Sequence, residues 1–518
     1  MIGRPLNFLI VVADQLNGFS VGAYGNPVVK TPHMDRLAER GVLFENAYCN
    51  SPLCAPSRFS MMAGRLPSKI GAYDNAALFP ANVPTFAHHL RLMGYRTMLA
   101  GKMHFVGPDQ LHGFEERLTT DIYPADFGWT PDWMNPGQRI DWWYHNMSSV
   151  TGAGIAEATN QYDFDDEVGF TATTKLRDLA RAGDDRPFCL VASFTHPHDP
   201  YATRRKYWDQ YDEAEIDMPR TPATPYADLD PHSQRLHHVS AMDDAEITEH
   251  HICDARRAYY GNITYVDEWL GQLQALLADT GLVENTAVIL ISDHGDMLGE
   301  RGLWYKMSFF EPSARIPMIF SAPGLPKGAR RSQPVSLVDL FPTLTDLVER
   351  SGAGEAPEPV DGLDGTSLVA LIEGDEGAAP ERVLGEFLGE GAVAPCLMIR
   401  RGRHKFIHSD PDPAQLYDLE ADPDERDNLA VRPEAAKVEE AFVREMETTW
   451  EQTALNEAVI VDQRRRRLLW QALSEGEHTP WDYQPHRDAS RRFMRNHLDL
   501  NDLERSSRWP PPKDREAR

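Results

Sequence analysis

The stretch "LNFLIVVADQ" (residues 6–15) is apolar for six consecutive residues and then stops on Asp14 and Gln15. A short apolar run without polar alternation predicts a strand covered on both faces, as in a parallel sheet. The pattern recurs along the chain. "TPHMDRLAERG" (31–41) reads as a helix, with Thr31 as N-cap, Pro32 at the first helical position and Gly41 as the stop. "PTFAHHLRLMG" (84–94) reads as a helix leading into the strand "YRTMLAGK" (95–102). "PFCLVASF" (187–194) is a further strand, and a helical pattern over 247–280 precedes the strand "TAVILIS" (286–292). Strands alternating with helices predict an α/β fold with a mostly parallel central sheet flanked by helices.

Ligands of open α/β sheets bind beyond the carboxyl ends of the strands. Here those ends carry Asp14 and Gln15, then Lys102 and His104, then His196 and His198 in "THPHDP", then Asp293 and His294 in "SDHGD". One Asp after one strand is ordinarily a helix cap; four strands delivering polar pairs to one edge make a site. Asp14, Asp293 and the Gln15 amide oxygen are hard ligands for Ca²⁺, Mg²⁺ or Mn²⁺, and the His294 nitrogen leans toward Mn²⁺. Arg58, Lys102 and Lys306 supply positive charge for an oxyanion, although Lys306 taken alone reads as a solvated lysine.

A formal charge of −27 over 518 residues disfavours nucleic acid and anionic membranes as partners. Five cysteines without a CxxC pair indicate neither a disulfide framework nor a cysteine zinc site. With no segment of membrane-spanning length, and only a short apolar run near the start, a cytoplasmic protein is expected. Three units are expected: a catalytic domain over 1–375, a small subdomain of short antiparallel strands over 376–431, and a helical extension over 432–518. The acidic, Pro-rich stretch 209–246 reads as a surface excursion. The histidine pairs in "LHHVS" and "EHHIC" read as surface residues.

Cys54, in "SPLCAPSRFS", has no partner for a disulfide or a zinc site, and it heads the helical stretch "SRFSMMAGR". A helix N-terminus favours an anion, so a thiolate nucleophile is one reading. The spacing Cys54-x-Pro56-x-Arg58 resembles the signature of the type I sulfatases. "GRLPS", "GKMH", "SDHGD" and "LYDLEADPDERDNL" follow in that family's order, over about residues 6 to 430. The resemblance implies the alkaline-phosphatase-like fold and conversion of Cys54 to formylglycine (3-oxoalanine) by a formylglycine-generating enzyme. It also implies one divalent cation, Ca²⁺ first and Mn²⁺ or Mg²⁺ next, held by Asp14, Gln15, the modified Cys54, Asp293 and His294. Arg58 then supports the aldehyde hydrate and His104 is the base. Lys102, His198 and Lys306 contact the sulfate and protonate the leaving oxygen. One hydroxyl of the hydrate attacks sulfur; the second, once deprotonated, expels sulfate, where a serine would stay trapped as its ester. Gln15 and His294 depart from the more usual Asp and Asn, and the Asp-Gln and Asp-His pairs also occur in phosphonate monoester hydrolases.

Residues 123–145 hold seven aromatics, four of them tryptophans. An aromatic-rich loop can be a buried core, or a cage for a quaternary ammonium group. Together with "YDNAA" and the C-terminal "PWDYQPHRDASRRFMRNHLDL", this loop resembles the choline-sulfatase branch of the family. The substrate implied is a small zwitterionic sulfate ester, choline-O-sulfate, bound by Asn75, Trp129, His145 and His196 or His198, with Glu386 as counter-charge. The branch also implies a homo-oligomer, a dimer or tetramer, joined by the C-terminal tail, with Asp499 or Asn501 entering a neighbouring site. The alternatives are a phosphonate or phosphate ester hydrolase of the same fold, and a non-catalytic binder of quaternary ammonium.

Overall fold

The computed structural model describes residues 5–182, 185–352, 354–486 and 499–508. Among them, nine strands form the central sheet: β1 (Asn7–Asp14), β2 (Val42–Tyr48), β3 (Arg96–Gly101), β4 (Glu116–Arg117), β5 (Phe188–Pro197), β6 (Thr286–Ile291), β7 (Arg315–Ser321), β8 (Ala329–Arg331) and β9 (Val335–Ser336). The order is β8-β2-β7-β6-β1-β5-β3-β4, with β9 also on β2. Every pairing is parallel except those of β7, which runs antiparallel to β2 and β6.

β7 is hard to foresee because Pro317 interrupts its sequence, and a proline cannot donate to a ladder. The sheet accommodates it with a bulge. Phe44 pairs with Met318 and Ala47 with Ile316, so Glu45 and Asn46 stand opposite Pro317. On the other side, pairing to β6 begins only at Met318.

Helices flank the sheet in two groups. α1 (Pro32–Glu39), α4 (Asn160–Ala182) and α5 (Glu249–Asp279) form one. The other comprises α2 (Cys54–Ala63), α3 (Phe86–Leu92) and α6 (Leu340–Arg350). Thr31 stands at the N-cap of α1, but its hydroxyl does not cap the helix: it accepts from Gly22 N and donates to Asp35. The free N–H groups of His33 and Met34 donate instead to Asp267 of α5, which ties the two helices together. Gly41 is required by packing rather than by a turn, since a Cβ there would lie 2.0 Å from the Phe320 carbonyl oxygen on β7.

A second, antiparallel sheet runs β10 (Val383–Phe387), β11 (Cys396–Arg401), β12 (His404–His408) and β13 (Gln415–Asp418). Leu397, Ile399, Phe406 and Leu416 bury against Phe442 and Met446 of α7 (Ala436–Thr449). One hydrophobic core therefore crosses residue 431, where the sequence had set a boundary. α8 (Gln452–Ser474) follows, and Asp499 accepts from Asn501 N and Asp502 N at the start of α9 (Leu500–Ser507). Most of the expected arm "HRDASRRFMRNHLDL" (486–500) lies outside the described residues. No helix of the described residues is long and apolar enough to cross a membrane.

Candidate active site

β6, β1, β5 and β3 are parallel neighbours, so their carboxyl ends open on one place. Asp14 ends β1, Lys102 follows β3, His198 follows β5, and Asp293 and His294 follow β6. α2 starts against this edge, putting Cys54 in its first turn and Arg58 one turn further on. Gln15 leaves β1 with φ 62°. That left-handed turn is held by Gln15 N donating to Asp293 (3.0 Å) and the Gln15 carbonyl accepting from the Tyr259 hydroxyl (2.6 Å).

The Cys54 sulfur lies 3.2 Å from His294 Nε2 and 3.5 Å from Lys102 Nζ. Ligating atoms of Asp14, Cys54, Asp293 and His294, all buried, lie within 4.8 Å of one another. Arg58 is buried among them. Its Nε donates to Asp293 Oδ2 (2.8 Å), one terminal nitrogen to the Lys102 carbonyl (2.6 Å) and Ser193 Oγ (2.9 Å), and the other lies 3.7 Å from Asp14 Oδ2. The Lys102 ammonium donates to Asp14 and sits 4.3 Å over the Tyr123 ring. Burial alone would raise the Cys54 thiol, but Lys102, Lys306 and His294 outweigh it and push the thiol well below its ordinary value. Burial also works to raise Asp293, and Arg58 and His294 overcome it. Asp14 stays raised, by burial and by the charge of Asp293, despite Lys102.

The cluster suits a hard divalent cation. Asp14 Oδ1 is buried with no hydrogen-bond partner among the described residues. The Gln15 amide is oriented by Asp296, which accepts from Nε2 at 2.7 Å, so that Oε1 faces Lys306 Nζ (2.7 Å) and the site. Asp14, Gln15, Asp293 and His294, with the residue at position 54, would hold the ion.

Beyond it stand the proton-carrying groups. Lys306 Nζ donates to His198 Nε2 at 2.7 Å, and His198 Nδ1 donates to the Asp199 carbonyl at 2.7 Å. The Asp199 carboxylate lies 3.2 Å from His198 Nδ1 and 3.3 Å from His145 Nδ1. Despite burial, these two imidazoles hold Asp199 far below the usual carboxylate range. Lys306 is presented by a strained loop, with φ 65° at Tyr305 and 75° at Met307. Met307 is pinned there by Pro52 O (3.0 Å) and by His232 Nε2 (2.7 Å). The His104 ring is buried, which lowers its proton affinity, and Asp121 accepts from its backbone N at 2.9 Å.

The aromatic loop divides. Tyr123 and Trp129 lie with ring centroids 5.0 and 5.7 Å from that of His104, and Trp143 is parallel to Trp129 at 5.9 Å. Phe127 packs on Trp481, Trp142 is exposed, and Trp133 and Tyr144 line a cavity of about 380 Å³ that also contains Glu390. Asn75 Oδ1 accepts from Ala55 N at 3.0 Å, beside Cys54.

Two expected substrate residues are displaced. His196 points away from the site, its Nδ1 on Asp165 (2.6 Å) and its ring against Tyr162 and Tyr265. Glu386 is not free as a counter-charge: its oxygens accept from Ser68 N, Ser68 Oγ and Trp450 Nε1, each at 2.7 Å. Four residues on, Glu390 is buried with Oε2 unpartnered among the described residues, and its carboxyl feels both Lys306 and Cys54. Glu390 carried no local signal, whereas Asp199 and Asp296 stood unassigned inside "THPHDP" and "SDHGD".

The family model described as Sulfatase matches residues 6–349. One described as N-sulphoglucosamine sulphohydrolase, C-terminal, matches 299–452, and one described as Choline sulfatase enzyme C terminal matches 457–509. A choline-sulfatase of Rhizobium meliloti (strain 1021) is 50% identical over 98% of this chain and 99% of its own length. An arylsulfatase of Clostridium perfringens (strain 13 / Type A) is 29% identical, covering 82% of this chain and 90% of its own. The crystal structure of the phosphonate monoester hydrolase of Agrobacterium radiobacter superposes with a TM-score of 0.68 at 25% identity, covering 86% of this chain and 95% of that one. The chain belongs to the sulfatase family: it has the alkaline-phosphatase-like fold and is a sulfuric ester hydrolase.

Proposed function

We propose that this enzyme hydrolyses choline-O-sulfate to choline and sulfate, with Cys54 converted to formylglycine. The observation that carries this reading is the aromatic wall of Tyr123 and Trp129, backed by Trp143, standing against the buried Lys102 and His104 beside Cys54. The 50% identical choline-sulfatase supports it. So does the match to the choline-sulfatase C-terminal model.

A bound divalent cation, Ca²⁺ by the hardness of the oxygen donors and Mn²⁺ or Mg²⁺ otherwise, supplies charge that draws electron density from a sulfate oxygen. A formylglycine hydrate supplies two hydroxyls on one carbon, one to bond sulfur and one whose deprotonation releases sulfate. The chain's own groups do the rest. His104, kept neutral by burial, takes a proton. Lys306 and His198 hold one between them across 2.7 Å, placed for the departing choline oxygen. Lys102 and Arg58 offset negative charge near position 54.

The opposite end of the substrate is a cation. Aromatic faces attract it by up to about 2 kcal/mol when desolvated, or about thirtyfold in affinity. Trp129→Ala is therefore expected to raise KM for choline-O-sulfate by about tenfold to thirtyfold and KM for 4-nitrophenyl sulfate by less than about threefold. Equal effects on both esters would refute the cage.

Glu390 replaces Glu386 as the counter-charge. Burial, with Asp74 nearby, pushes its carboxyl up to about 7, against the pull of Lys306. A raised acid is neutral below its pKa and charged above it. KM for choline-O-sulfate should thus fall as pH rises through about 7, and Glu390→Gln should flatten that dependence. An unchanged pH profile of KM between pH ~6 and ~8.5 in the variant would exclude Glu390.

We also take the chain to form a homo-oligomer through α8 and the tail, supported by the exposed Val461, Leu468 and Leu473. Five free, buried cysteines support a reducing, cytoplasmic setting.

A further inference from the structure

α8 lies outside the stretch that matches the sulfatase model. Yet Arg466 on α8 is among the largest fully buried side chains of the described residues. Its two terminal nitrogens donate in a fork to Asp74 Oδ1 and Oδ2, each at 2.7 Å. One of them also reaches Thr130 Oγ1 at 3.0 Å, and Nε donates to Asp462 at 2.7 Å, one turn back on α8. Asp74 precedes Asn75, whose side chain is tied to the residue after Cys54. Thr130 follows Trp129. One guanidinium therefore joins the chain neighbours of both cage positions.

The same face of α8 continues the grip. Gln463 Oε1 accepts from Trp133 N at 2.9 Å, and Arg467 pairs with Asp132. Residues 462, 463, 466 and 467 share one helix face, and all of them hold, or help Arg466 to hold, the loop that begins at Trp129. A planar guanidinium offers two parallel N–H donors to both carboxylate oxygens and keeps further donors for Thr130 and Asp462, whereas the three donors of an ammonium radiate from one atom and cannot form that fork.

We propose that Arg466 is a positioning residue for selectivity: it fixes the Asn75 and Trp129 walls relative to Cys54, so that the C-terminal extension of the same chain sets the KM for a cationic ester without touching the reacting atoms. The inference rests on the choline-O-sulfate reading above.

The test uses full-length Arg466→Lys and Thr130→Val enzymes, with kcat and KM measured for choline-O-sulfate and 4-nitrophenyl sulfate and thermal unfolding recorded alongside. Arg466→Lys keeps a charge beside Asp74 but loses the fork. It should raise KM for choline-O-sulfate about tenfold, while its kcat and both constants for 4-nitrophenyl sulfate stay within about threefold of the parent. Thr130→Val keeps the Asp74 pair and should shift the same KM by about threefold, and it decides alone if Arg466→Lys does not accumulate. Parallel losses on both esters, or unchanged KM values, overturn the proposal. A parent enzyme that cleaves 4-nitrophenyl sulfate and leaves choline-O-sulfate intact overturns the substrate reading, and this inference with it.

Discussion

Cys54→Ser is expected to lose about four orders of magnitude or more in steady-state kcat, while becoming marked with one sulfo group per chain. A serine oxygen would occupy the place of a sulfur that lies 3.5 Å from Lys102 Nζ and 3.2 Å from His294 Nε2, so a first bond to sulfur remains chemically accessible. What is missing is a second hydroxyl on the same carbon, and with it the route by which sulfate leaves. Intact-protein mass spectrometry after exposure to substrate reads this directly. Cys54→Ala should show neither turnover nor the added mass. A serine variant that turns over at a rate near the parent's would contradict the need for a converted side chain.

The second large effect is on stability. Arg58→Met removes the guanidinium standing 2.8 Å from Asp293 and 3.7 Å from Asp14, both fully buried. Leaving buried charges unpaired costs about 3–5 kcal/mol. Its pH dependence has a definite sign. In the parent, Arg58 helps hold Asp293 below its unfolded value. Asp293 therefore contributes stability above about pH 4, and loses it as the pH falls through its depressed folded value. The variant lacks most of that contribution. The gap between the two proteins should persist from neutral pH down to about pH 4 and narrow below it, as the pH falls toward the depressed folded value. Thermal unfolding in chelator at several pH values measures it, and a gap that widens on acidification would contradict the pairing.

Much of the site was legible because it is local in one sense: each strand carries its functional residues at its own end. Asp14, Lys102, His198 and Asp293 each follow a recognisable apolar run, and the parallel order β6-β1-β5-β3 brings those ends together. What was not legible depends on partners distant in sequence. Glu386 and Glu390 are four residues apart and chemically identical. Only Ser68 and Trp450 decide that the first is saturated, while the second keeps one oxygen unpartnered among the described residues. His196 and His198 would face the same side of a regular strand. The register shift where Asp14 meets Pro197 breaks that alternation, so one turns to Asp165 and the other to Lys306. β7 was hidden by Pro317, whose accommodation depends on a bulge in β2. Arg466 reads in sequence as one of four consecutive arginines on an exposed helix, and only its carboxylate partner 392 residues away distinguishes it.

The Asp-Gln and Asp-His pairs, and the structural likeness to a phosphonate monoester hydrolase, leave one rival chemistry on the same scaffold. An aryl phosphonate ester carries no cation for the proposed cage to receive. The most direct measurement is kcat/KM for choline-O-sulfate and for phenyl phenylphosphonate, taken side by side on one preparation whose Cys54 peptide carries the aldehyde by mass. The expected result is a preference for choline-O-sulfate of about a hundredfold or more. A comparable preference for the phosphonate would contradict it.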